Sequence, residues 1–265
     1  MTLTITQQLI AIGAGSALIM LALWALQLRT KDAGVVDVAW AGCLGLSAIL
    51  ASITGEGELA RRILIGVIGG IWGLRLASHL LFDRVLKGPE DGRYQMMREQ
   101  FGPRINPIML AFFEAQALLV VILCAPFLLA ASAADPAPTL SDILGAALWL
   151  VGITGETTAD RQLVRFKRDP ANSGKVCDVG LWRYSRHPNY FFEWLMWCAF
   201  AIVALPADYG WLGLSAPALI LLFVLKLTGI PPTEARAIRS RGEAYRRYQW
   251  TTSAFFPWFP REDTR

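Results

Sequence analysis

The sequence predicts an all-α, polytopic membrane protein of about seven transmembrane helices with a cytosolic C-terminal amphipathic helix, and three observations carry that expectation. The 265 residues are 54% apolar and only 17% charged, with a mean hydropathy of +0.42, too apolar a balance for a water-soluble domain. Apolar runs of about 20 residues, the length that crosses a bilayer, recur along the chain. Basic residues collect in alternate separators, as the positive-inside rule requires. A single integral membrane domain over 1–265 accommodates all three.

The first run, 6–28, begins within MTLTITQQLI, which has no basic leader and no small-residue cleavage site, so it reads as a retained helix rather than a removed signal peptide. Runs at 35–54 and 63–82 follow, parted by Arg29–Gly34 and Thr54–Arg62. A long polar loop at 83–107 leads to the fourth run, 108–132, and the proline-bearing Ala134–Ser141 to the fifth, 142–160. A basic loop at 161–188 precedes 189–206, and Pro206–Tyr209 separates that run from 210–228. From Thr233 to about Gln249 the chain reads as a polar, basic helix. An aromatic and proline segment follows, in which Trp250, Phe255, Phe256, Trp258 and Phe259 suit the headgroup region. The tail reads equally as a membrane anchor and as a segment that closes a site.

Lysine and arginine set the orientation. The separators after the first, third and fifth runs hold two, five and seven of them, and the end of the last run with the tail holds eight. Only Arg61 and Arg62 lie in a loop of the other side, so the C-terminus is expected in the cytosol and the N-terminus outside. The net charge of +4 and pI near 9.0 are then a one-sided collar, which argues against a nucleic-acid partner. Cys43, Cys124, Cys177 and Cys198 show no CxxC or CxxH spacing and only two histidines exist, so neither a disulfide framework nor a metal site is expected.

Ionisable residues inside the apolar runs mark function by default, because isolated charges facing lipid are costly. Asp37, Arg75, Glu114, Glu156, Asp160, Glu193 and Lys226 are such residues, all in the cytosolic half or near mid-depth of the expected topology. Trp72, Arg75, His79 and Asp83 stand at i, i+3, i+7 and i+11, one stripe of a helix; Glu156, Asp160 and Lys167 form another. A polar cavity open to the cytosol explains them, and so does a salt-bridge ladder that holds the bundle together. The most informative stretch is Cys177–Glu193, CDVGLWRYSRHPNYFFE. It packs Arg183, Arg186 and His187 before Pro188 starts a helix with Asn189 and Glu193 on one face. There is no Walker or GxGxxG loop and no recognisable nucleophile motif. Cations at the cytosolic ends suit a phosphate-rich soluble cofactor, and apolar helices suit a lipid-like substrate.

WRYSRHPNYFFEW, the preceding DRQLVRFK and the terminal GIPPTEARAIRSRGEAYRRYQWTTSAFFPW resemble bacterial membrane proteins of unknown function related to the steroid 5-alpha-reductase family. DVAWAG and LRLASHLLFDR resemble the same group, so the similarity covers most of the chain. It implies an inner-membrane enzyme of lipid metabolism that uses NADPH to reduce a carbon–carbon double bond conjugated to a carbonyl. Helices within 1–132 would face the substrate, and 142–265 would be the cofactor-binding half. By position, Asp160, Lys167, Arg186, His187, Asn189, Tyr190 and Glu193 fall on cofactor-contacting places, joined from the tail by Tyr245 and Arg246. The family holds the substrate carbonyl with a glutamate and a tyrosine. Their nearest equivalents here are Asp37 and Trp72, the latter without a phenol proton.

A hydride delivered to the β carbon builds negative charge on the carbonyl oxygen, which needs a donor. Asp37 fills that role if burial keeps it protonated, with His79 or Trp72 nearby; paired with Arg75, it is instead an ionised structural residue. The RHPNYxxE core is shared with sterol delta-14 reductases and with isoprenylcysteine carboxyl and phospholipid methyltransferases. An S-adenosylmethionine-dependent membrane methyltransferase is therefore the alternative enzyme, and a small transporter or lipid-binding scaffold the non-enzymatic one.

Overall fold

A computed structural model describes residues 2–262, and among them every regular element is helical. Eleven α-helices are formed: α1 Ile5–Thr30, α2 Val35–Thr54, α3 Leu59–Leu80, α4 Gly92–Phe101, α5 Ile105–Leu123, α6 Ala125–Ser132, α7 Leu140–Arg168, α8 Pro188–Ala204, α9 Ser215–Leu222, α10 Ile230–Arg241 and α11 Glu243–Thr251. Five helical runs are long and apolar enough to cross a membrane, namely Ile5–Thr30, Val35–Thr54, Leu59–Val85, Gly92–Ser132 and Gly210–Arg241. The hydropathy count of seven is therefore reduced to five on length and composition. The other two helices exist, but α7 carries Asp142, Glu156 and Asp160, and α8 has 17 residues, short of the usual span of about 20.

The chain forms two compact units. The first takes the chain up to Ile143 with Phe200–Ala216, and the second takes Leu144–Ala199 with the chain from Pro217 onward. Residues 200–216, which follow the second unit's helices in sequence, thus pack with the first unit.

In the first unit, Thr4 and Gln7 close a capping box at the start of α1, each side chain accepting from the other's backbone N–H. Small residues bring α2 and α3 together. A Cβ built on Gly73 would lie 2.5 Å from Gly45 Cα, and one on Gly69 would lie 2.5 Å from Ala48 Cβ, so the helices touch almost backbone to backbone. Trp72, fully buried, meets Trp40 edge-on at 6.4 Å and Phe200 at 5.9 Å. The fourth apolar run breaks after Cys124, where Pro126 at the start of α6 cannot continue the ladder. Arg61, expected as a loop charge, is fully buried. It grips Asp142 through Nε (2.8 Å) and Nη2 (3.0 Å) and donates from Nη1 to the Ala133 carbonyl at 3.2 Å. Removing one partner of such a buried pair costs about 3–5 kcal/mol, because the other is left uncompensated.

In the second unit, α7 and α8 pack through Gly152 and Gly155, whose missing side chains admit Met196 and Phe192. The loop that follows α7 is tied down locally: Trp182 Nε1 donates to the Ala159 carbonyl at 2.9 Å, and Gln162 Oε1 accepts the Leu181 N–H at 2.8 Å. The single tail helix expected over 233–249 is instead two, α10 and α11, separated at Gly242, whose φ of +53° is a left-handed turn that glycine supplies without strain.

Candidate functional site

Two polar clusters are built around an arginine–carboxylate pair, one in each unit. In the first unit Asp37, in the first turn of α2, accepts from Arg93 Nη2 at 2.6 Å and from the Tyr94 hydroxyl at 2.9 Å. Both of its oxygens are thus acceptors, as in an ionised carboxylate. Asp91 caps α4 through the Arg93 N–H (2.9 Å) and takes Arg93 Nε at 3.1 Å, which aims the guanidinium at Asp37. A second clamp lies beside it in the chain. Arg98 holds Glu90 with two bonds of 2.8 and 2.9 Å, and Glu90 accepts the Ala33 N–H just before α2. The loop expected to be simply polar is therefore an ordered cap over the start of α2.

The partners expected for Asp37 in the sequence were Arg75, Trp72 and His79; those found on its carboxylate are Arg93 and Tyr94. Trp72 sits in the aromatic stack described above. His79 Nδ1 meets Asp83 one turn on at 3.1 Å, and Asp83 also takes Lys87 at 2.6 Å, on an exposed edge. That local acid draws the imidazole along its own helix.

In the second unit the signature loop, α10, α11 and the tail converge on Glu234. Its Oε1 takes Arg186 Nε at 2.7 Å and faces His187 Nε2 at 3.2 Å, and its Oε2 takes Gln249 Nε2 at 2.6 Å. Arg186 Nη1 donates in addition to the Gln249 and Thr252 carbonyls, and its backbone N–H donates to Ser253 O at 2.8 Å. Ser185 Oγ donates to Phe255 O at 2.8 Å, and the Tyr248 hydroxyl donates to Trp182 O. The tail is thereby laid along the signature loop. His187 stacks on Tyr190 with centroids 5.3 Å apart and planes 5° apart, and Asn189 Nδ2 reaches Asp160 Oδ1 at 3.5 Å.

Of the residues with expected cofactor roles, Arg186, His187 and Tyr190 share this frame, and Asn189 is joined to Asp160. Glu193 accepts from Trp197 Nε1 at 3.0 Å on its own helix, while Lys167 is exposed near the end of α7. Tyr245 is buried against Tyr248, and burial together with the Glu234 charge pushes its phenol up to about 12. Arg246 lies on the outer surface and pairs at 3.5 Å with Glu243, itself largely exposed. Sequence reasoning missed Glu234, Gln249, Arg93 and Tyr94. Glu234 did carry a signal, being the one acid between Asp208 and Glu243.

Beside Arg186 a cavity of about 370 Å³ opens under the tail, with Trp250, Ser253, Trp258, Phe259 and Arg261 among its walls. Burial raises the pKa of the nearby Cys177 thiol, which makes it a poor nucleophile. Among the described residues no three His, Cys, Asp or Glu side chains gather as a metal site.

A family model described as a protein of unknown function, DUF1295, matches residues 23–252, a stretch that holds Asp37, Arg93 and Tyr94 as well as Arg186, Glu234 and Gln249. The chain belongs to the DUF1295 family. An uncharacterized protein of Schizosaccharomyces pombe is 26% identical to this DUF1295 chain over 226 residues, covering 72% of the chain and 65% of that relative's own length. The chain thus matches just under two-thirds of the yeast protein. No solved structure matches it.

Proposed function

We propose that this DUF1295 protein is an integral membrane oxidoreductase that binds NADPH through its second unit and reduces an enone-type double bond of a lipid-like substrate. The observation that carries the reading is the convergence on Glu234 and its neighbours of segments far apart in the chain: the RHPNY loop, the start of α10 and the end of α11. A polar frame of this size at the end of apolar helices has a ready use in holding a soluble ligand beside a bilayer. The resemblance to the steroid 5-alpha-reductase group makes that ligand NADPH, which supplies a hydride when bound.

The residues fit such a ligand in a specific division. Arg186 has its Nε and Nη1 committed to Glu234 and to two tail carbonyls, so it positions the loop rather than meeting a phosphate. Lys167, Arg168 and Lys175 are exposed cations near the end of α7 and in the loop after it, of a kind suited to phosphate. The stacked His187–Tyr190 pair offers a flat aromatic face, and Asn189 with Asp160 offers amide and carboxylate acceptors for hydroxyls.

On the substrate side Asp37 serves as an acceptor that orients Arg93 and Tyr94. Arg93, which commits Nη2 to Asp37 and Nε to Asp91 out of five N–H donors, is the donor for a developing oxyanion, in place of a protonated Asp37, while the Tyr94 hydroxyl spends its one hydrogen on Asp37 and fixes that carboxylate. With α7 and α8 counted as spans, the topology is seven helices with the C-terminus in the cytosol; cysteine-accessibility labelling of Lys175→Cys in intact and opened cells tests this.

The decisive experiment is a thermal-shift titration of the detergent-purified protein with NADPH and, separately, S-adenosylmethionine. Stabilisation by NADPH alone, lost in Asn189→Ala and Tyr190→Ala, is the expected result. Stabilisation by S-adenosylmethionine alone replaces the reading with a membrane methyltransferase, and no response to either ligand leaves a non-enzymatic scaffold.

A further inference from the structure

The cavity under the tail has features that a soluble cofactor does not require. Its walls are aromatic as well as polar, and the rings continue outward: Trp258 is 71% exposed, Phe259 76% and the neighbouring Phe256 54%. These rings are not on a loose end. The Trp258 N–H donates to Tyr184 O at 2.9 Å, Phe259 meets the Tyr184 ring at 6.1 Å, and the Arg261 N–H donates to Thr251 O at 2.8 Å. Phe255 is buried under them against Phe191 and Trp194. An ordered row of exposed rings costs solvation in water and gains it at the glycerol level of a bilayer.

The charge beside the rings is mainly positive. Residues 234–262 hold six arginines and three glutamates, and Glu234 and Glu243 are already paired with Arg186 and Arg246. Arg261 is exposed at the cavity rim, and the tail, from Thr233 onward, starts just past the last apolar run at 210–228. A tail that starts at the end of a spanning run lies within reach of the headgroups.

We propose that the tail is a binding site for an anionic phospholipid. The phosphate and polar head enter the cavity beside Arg261 and Ser253, and the glycerol and upper acyl chains lie along Trp258 and Phe259. This assigns the tail a ligand of its own, apart from NADPH and from the reducible substrate. It holds whether or not the protein is a reductase, because it uses only the cavity, the rings and Arg261.

Native mass spectrometry of the full-length protein, released from detergent with mixed phosphatidylglycerol and phosphatidylcholine, tests it. Retention of one phosphatidylglycerol per chain in preference to phosphatidylcholine is expected. Arg261→Gln should weaken that preference about fivefold, the factor that one cation near an anionic leaflet contributes. Trp258→Ala with Phe259→Ala should lower retention of both lipids. All three side chains are exposed, so unchanged melting temperatures serve as the folding control. Arg29→Gln, an exposed cation at the end of α1, should change nothing. The proposal is overturned if phosphatidylcholine is held equally well, if Arg261→Gln keeps the full preference, if Arg29→Gln costs as much as Arg261→Gln, or if millimolar inorganic phosphate displaces the lipid. NADPH stabilisation, measured on the same variants, is expected to be unaffected, which separates failure of the lipid site from failure of the cofactor reading.

Discussion

Asp37 and Glu234 are both carboxylates held by an arginine, yet they are held differently. Around Glu234 the side chains are nearly closed off, Arg186 at 10% and Glu234 at 13% exposed, and the arginine spends its other donors on main-chain carbonyls of the tail. Around Asp37 the pair is more open, 33% for Arg93 and 24% for Asp37, and the other partner of Arg93 is a side chain of its own loop. A carboxylate that closes off its arginine and ties three segments together sets the fold. One that leaves its arginine partly open retains donors for a ligand. Under the proposed function, the difference gives Glu234 a positioning role and leaves the Asp37 cluster as the one open to a substrate.

Substitution at Glu234 should have the largest effect. Glu234→Ala leaves Arg186 and His187 buried without their acceptor, and a loss of about 3–5 kcal/mol is expected by denaturant or thermal melting, with early proteolytic release of the tail. A small loss there, with intact NADPH stabilisation, would put Glu234 on the same footing as Asp37. At Asp37 the order of effects should reverse. Asp37→Asn should cost only about 1–3 kcal/mol of stability, since the amide still accepts from one donor, while turnover falls by about a hundredfold or more. A variant that loses stability and turnover in proportion would show that this cluster too is only structural.

Alkaline titration probes the closed cluster more gently. The Tyr245 phenol rises from 10.0 to about 12, chiefly by burial and then by the charge of Glu234. A group whose folded-state value is raised contributes stability that is complete below the unfolded value and is lost as the pH climbs through the folded one. The melting temperature should therefore fall between about pH 10 and 12 beyond any fall seen in Tyr245→Phe. Phenolate absorbance that develops near pH 10 for every tyrosine would contradict the burial. The smallest effect belongs to Arg246→Ala: melting and NADPH stabilisation should both stay at wild-type values, because its side chain is 62% exposed against an exposed Glu243.

What could be read in advance follows the range of the interaction. Helix positions came from runs of apolar residues, a local property of the chain, although the run 108–132 reads as unbroken in the sequence where the structure interrupts it before Pro126. The signature loop was also legible, because Arg186, His187, Asn189 and Tyr190 are neighbours in sequence. Glu234 and Gln249 were not, since they reach Arg186 and Glu234 across 48 and 15 residues through a turn at Gly242 that charge patterning does not register. The Asp37 cluster failed in the opposite way: the stripe of Trp72, Arg75 and His79 was correct as helix geometry but named other partners. Arg93 arrives from 56 residues away on a loop whose order depends on Asp91 and Glu90.

Composition and periodicity alone therefore determined that this chain is helical, apolar and suited to a bilayer, because hydrophobic length and helical spacing are summed residue by residue. Tertiary structure alone decided which carboxylate each arginine meets and which of those pairs stays open. Ion pairs depend on distances of a few ångströms between segments that only the packed fold brings together, and on burial that no single segment carries in itself.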